Sequence, residues 1–173
     1  MRVLVILWGI GGVLALLGQA LTRLTPIAWD AMTSGLSTAE WLVLGGWVAF
    51  NGYAEGHRGF HLRFSPRVVA RAFHLADHPK PLHVILAPAF CMSLFHATRR
   101  RMIASWILIA AITIVVVLVR LLEQPWRGIV DAGVVVGLGW GSLSILYHLA
   151  RAIKTRPAAP EDLPLSGSEA KSG

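Results

Sequence analysis

The sequence predicts an all-α integral membrane protein with four transmembrane helices, a cytoplasmic amphipathic helix and a re-entrant or surface apolar hairpin. Three observations lead there. The chain of 173 residues is 55% hydrophobic and only 14% charged, where a soluble domain carries about 25% charged residues. Its charges cluster between apolar runs that reach the roughly 20 residues a bilayer core requires. Its basic residues fall on one side once those runs are threaded through a membrane.

The first span covers residues 3–24. Its apolar run exceeds the usual leader core of about 7–15 residues, and only Arg2 carries charge before it. It therefore reads as a retained helix, although Gly18-Gln19-Ala20 loosely resembles a cleavage site. At helical spacing Gly11, Ala15, Gly18 and Thr22 share a face that admits another helix closely, and Gln19 beside it is placed to donate to that neighbour. Residues 25–38 hold Pro26, Asp30, Ser34 and Gly35 and read as a loop or short surface helix. The second span, 36–54, puts Glu40 near the interface. Gly45, Ala49, Gly52, Gly56 and Gly59 share one face of this helix and its extension. Asn51, Glu55 and Arg58 form a polar stripe. Ionisable groups where a helix leaves the bilayer are expensive, and an interfacial Glu–Arg pair anchoring the helix end is the simplest reading.

Residues 55–102 form the cytoplasmic or interfacial segment. Ser65 and Pro66 read as an N-cap and a first-turn proline, and Pro79 and Pro81 stop that helix near His78. Arg67, Arg71, His74 and His78 project onto one stripe, with Val68, Val69, Ala72, Phe73, Leu75 and Ala76 opposite. Such a basic amphipathic helix lies in the headgroup layer. Residues 82–98 are apolar, with Pro88 near their middle, but at about 1.5 Å per residue they fall short of the hydrocarbon core. Spans at 103–122 and 129–149 follow, joined by a tight turn. In it Arg127 and Asp131 can pair at i, i+4. The third span has no glycine and is read as the most lipid-exposed. The fourth carries Gly133, Gly137 and Gly141 as a double GxxxG stripe. Together with Gly45, Gly52 and Gly56 these are the expected helix-packing residues. Residues 1–150 thus make one membrane domain, and 151–173, rich in Pro, Ser and charge, read as a disordered cytoplasmic tail.

Charge fixes the topology. If 82–98 does not cross, one side holds Arg2, Arg58, Arg63, Arg67, Arg71, Lys80, Arg99, Arg100, Arg101, Arg151, Lys154, Arg156 and Lys171, which is thirteen of the sixteen basic residues. Arg23, Arg120 and Arg127 remain opposite. If it does cross, the two sides hold eight each. The positive-inside rule selects the first arrangement, with both termini cytoplasmic in a bacterial inner membrane. The net charge of +7 then reflects topology rather than nucleic-acid binding. Cys91 is the only cysteine, so no intrachain disulfide and no cysteine-based zinc site can form.

Seven histidines are present, five of them between residues 57 and 83. His57/His61 and His74/His78 are spaced i, i+4, a spacing that can offer one metal ion two ligands from one helix face. This layout is superficially similar to membrane di-iron hydroxylases and desaturases, but those use adjacent histidine pairs and the chain has none. No GxSxG elbow, Walker loop, HExxH or dinucleotide fingerprint occurs. No span carries a mid-bilayer charge of the kind an ion path requires. The expectation is therefore a protein without its own catalytic centre and without a cofactor, acting as an interaction, accessory or lipid-associating component. Its working surface is Arg58, Arg63, Arg67, Arg71, His74 and His78. Anionic headgroups and a second copy or another membrane protein are the expected partners. A metal-dependent oxidoreductase using the four histidines is the alternative, and an oligomeric channel or carrier a second.

Overall fold

The structure, a computed structural model, describes residues 1–160, 162 and 163, and over them it is built from helices without strands. Three helices are long and apolar enough to cross a membrane, Arg2–Thr33 (α1), Arg99–Val119 (α6) and Trp126–Lys154 (α7). Between α1 and α6 lie α2 (Thr38–Asn51), a π-helical segment π1 (Gly52–Phe64), α3 (Ser65–Asp77), α4 (Pro81–Ile85) and α5 (Ala87–Cys91).

In place of the loop or short surface helix expected at 25–38, α1 itself runs on through Pro26 to Thr33. An internal proline removes one hydrogen bond and crowds the preceding turn, so something else must hold the last turns. The start of α7 does so. Ala28 and Ala31 are buried, and Gly128 lies so close to Ile27 O and Ala31 Cβ that no side chain fits there. The two helices form the largest interface in the molecule and run antiparallel, since Ile10 meets Ile145 and Ala152 in one core cluster.

Ser37 opens the next rod. Its hydroxyl accepts from Glu40 N while Glu40 Oε2 accepts from Ser37 N at 2.7 Å, a reciprocal cap that satisfies two end donors. α2, π1 and α3 then follow one another without a break. The expected cap at Ser65 is not made. The chain arrives at Ser65 already helical, and its hydroxyl is buried without a partner. Pro66, which has no N–H, falls where i→i+5 bonding gives way to i→i+4.

α3 runs antiparallel to α1, with Arg2 and Asp77 paired at 2.9 Å at one end. Val68, Val69 and Ala72 pack with Ile10 and Val13 further along. Leu75 and Ala76 meet Val5, Ala87 and Phe90. The apolar face expected to enter lipid is thus covered by α1, α5 and α7, which corrects that expectation. The apolar stretch 82–98 consists of α4, α5 and a loop with left-handed backbone at Ser93 and His96. Neither five-residue helix is long enough to cross a bilayer.

The glycines divide sharply. A methyl added at Gly133 would lie 2.5 Å from Trp47 Nε1, one at Gly137 2.9 Å from Glu55 Oε2, and one at Gly141 2.5 Å from Phe60. Gly56 is filled in the same way by Trp140, and Gly52 touches Val136. Thus α7 packs its glycine stripe on α2 and π1. Gly45, Gly11 and Gly18 meet nothing, contrary to expectation; Gly9, against α3 and α5, and Gly12, against Pro88, take the close contacts on α1 instead. α6 buries only Ser105.

Candidate functional site

The basic end of the molecule is built around Arg71, which the helical projection places on a surface stripe. Its side chain is fully buried. Nε donates to Phe90 O at 2.7 Å, and Nη2 donates to His96 O at 3.0 Å and Phe95 O at 3.3 Å. Nη1 donates to Asp162 Oδ1 at 3.2 Å. The guanidinium carbon sits 4.2 Å from the Phe90 ring centroid, a cation–π contact. Arg71 therefore cannot meet headgroups, because it fastens α3 to the 90–96 segment. The positive-φ turns at Ser93 and His96 aim those carbonyls inward. Burial pulls the guanidinium's pKa down, and the Asp162 carboxylate opposes the shift.

Asp162 was expected in a disordered tail. It is instead pinned three ways: Oδ1 on Arg71, Oδ2 accepting from buried Ser93 Oγ at 2.8 Å, and its carbonyl accepting from Thr98 N at 2.8 Å. α7 also continues to Lys154, so the helix extends past the expected boundary at residue 150. Residue 161 and residues 164–173, including Lys171, lie outside the described residues. Beside Asp162 opens a cleft of about 360 Å³ lined by Thr98, Arg100, Arg101 and Ala104. No protein-family model, curated protein or solved structure matches the chain.

Arg58, Arg63, His78, Lys80, Arg99 and Arg100 are exposed, and Arg67 and His74 are half-buried. Of the Asn51–Glu55–Arg58 stripe, Asn51 and Glu55 share the face toward Gly133 and Gly137 of α7, and Arg58 is not with them there. Asn51 is buried and donates to Trp47 O at 2.9 Å, and Glu55 lies against Gly137. Arg58 forms no ion pair with Glu55. The i→i+5 bonding of π1 widens each turn, so the spacing that aligns all three residues on an α-helix fails.

Both predicted histidine pairs stack, His57–His61 at 5.6 Å between ring centroids and His74–His78 at 4.9 Å. The two pairs do not converge. The first pair acquires a partner that no local spacing signals, since His148 lies 5.0 Å from His61 and its Nε2 faces His61 O at 3.1 Å; separately, His83 lies tilted 4.6 Å from His96. Among the described residues no three His, Cys, Asp or Glu side chains are grouped to hold a metal ion. His83 and His96 are held below the ordinary histidine pKa, first by burial and then by neighbouring cations, with Lys80 and Arg71 acting on both. His74 is lowered too, by burial and then by His78 and Arg71. Burial pushes the Cys91 thiol up to about 12, which leaves it unreactive near neutrality.

Proposed function

We propose that the chain is a four-span bacterial inner-membrane protein with both termini cytoplasmic and residues 55–102 as a cytoplasmic or interfacial segment. It is a non-catalytic accessory component that presents a folded basic surface to anionic partners. The fourth span in this reading is residues 36–54, α2 with only the first residues of π1, since the 14 residues of α2 alone are short of the roughly 20 a bilayer needs. The thirteen-to-three charge division supports this topology.

One observation carries the functional reading. The apolar face of α3 is covered by protein, while Arg58, Arg63, Lys80, Arg99 and Arg100 remain exposed. Recognition then works through charge rather than apolar insertion, with each basic residue worth about 1 kcal/mol near an anionic leaflet. The docked Asp162 is an internal example of an acidic group seated at this end. The weakly covered α6 offers a face for a second copy or another membrane protein.

Reporter fusions after Lys80, after Arg101 and at the C-terminus should all report cytoplasm; opposite-side signals at the first two would overturn the topology. With Cys91 buried, Leu82→Cys provides a single labelling site on the full chain. A fluorophore there should be quenched several-fold more by spin-labelled phosphatidylglycerol than by spin-labelled phosphatidylcholine, and the preference should vanish in high salt. Equal quenching would rule out headgroup recognition and favour an acidic protein partner.

A further inference from the structure

At the opposite end of the molecule α1, α6 and α7 enclose a cleft of about 300 Å³. We infer that this cleft is a binding site for one anionic phospholipid, with an acyl chain along its apolar wall and the phosphate diester held by Arg23, Arg120 and Arg127. The volume sits at the low end of ligand pockets, enough for part of one chain and not for a whole lipid. Its wall is apolar, with Ala20 and Leu24 from α1, Val116 from α6 and Val134 from α7.

The chemistry of the occupant follows from the charges. Arg23, Arg120 and Arg127 are the three basic residues that fall outside the large basic set, and all three line this one cleft, from α1, from the C-cap of α6 and from the first turn of α7. One carboxylate, Asp131, is present, 3.9 Å from Arg127, so three positive charges less one negative leave a net of two positive. Arg127 Nε is buried without a hydrogen-bond partner, and neither Arg23 nor Arg120 forms an ion pair among the described residues. Guanidinium forks match phosphate oxygens. Gln19, expected to donate to a neighbouring helix, instead lines this cleft without a side-chain hydrogen bond among the described residues. An apolar wall with excess cation beside it fits a long-chain anion better than a free phosphate or a zwitterionic lipid.

The test uses the full chain in mild detergent, exchanged against defined lipids and weighed by native mass spectrometry. The wild type should retain one phosphatidylglycerol per chain, about thirtyfold over phosphatidylcholine for two uncompensated charges. Arg23→Gln with Arg120→Gln should abolish the preference. Val116→Trp, on the least-packed helix, should fill the cleft and abolish retention, while an unchanged unfolding temperature certifies its fold. Millimolar glycerol 3-phosphate should displace nothing. Equal retention of the two lipids by the wild type, unchanged retention in both variants, or displacement by glycerol 3-phosphate would overturn the site. None of these readouts involves the Leu82 surface, so this site and the basic surface stand or fall separately.

Discussion

Helices α6 and α7 are both long enough to cross a membrane and have opposite fates. In its most apolar stretch α7 is 44% buried and α6 only 6%, although α6 is the more apolar of the two. The difference lies in shape. Gly133, Gly137 and Gly141 let Trp47, Glu55 and Phe60 reach the α7 backbone, whereas α6 presents Ile and Val all round. Lipid satisfies an apolar side chain as well as protein does, so apolarity alone drives no helix association in a bilayer, and close packing does. α6 is tethered mainly at its foot, where Ser105 Oγ donates to Met92 O at 3.3 Å and Trp106 Nε1 donates to Leu94 O at 3.1 Å. Both carbonyls belong to the segment that Arg71 fastens.

The largest expected effect comes from cutting that fastening. Arg71→Met should strand the carbonyls of Phe90, Phe95 and His96 and release Asp162, a loss of about 3–5 kcal/mol for breaking a buried ionic cluster. Detergent unfolding would register it, and faster proteolysis between residues 92 and 98 would show that the foot of α6 has come loose. Stability equal to wild type would mean that the tether lies elsewhere.

A smaller effect tests the packing contrast directly. Gly137→Leu should push α7 off π1 and destabilise by about 1–3 kcal/mol. Ile114→Leu on α6, where the side chain is exposed, should stay within about 0.5 kcal/mol. Equal effects at the two positions would erase the distinction between the helices.

Acid should act on the foot of α6 and least on α7's glycine face. His74, His83 and His96 have lowered values in the fold, so the unfolded chain takes up protons first as pH falls. Their stabilisation is complete above the unfolded value of about 6.5 and is lost as pH drops from there toward the folded values. The protection factors of amides at 92–98, corrected for the intrinsic pH dependence of exchange, should therefore fall below about pH 6.5 before those in α7 do. An equal fall along both segments would contradict a local origin.

Much of this arrangement follows from residue order alone. The three long apolar helices, the glycine stripe on α7, the glycine-free and exposed α6, and the Arg127–Asp131 pair all depend on composition and on spacing within one helix. Those quantities are set by covalent order. What spacing could not supply is the other side of each contact. Gly11 and Gly133 look alike in sequence, yet only Gly133 has a facing tryptophan. Arg71 shares a helical stripe with Arg67 and His74, and charge marks it as surface. Only the left-handed turns at Ser93 and His96, with an aspartate ninety-one residues further along the chain, give it acceptors enough to be buried. Pro26 would end a helix in isolation, and the start of α7 keeps it going. Local periodicity says which face a residue occupies, and tertiary contact alone decides whether that face meets lipid, water or protein.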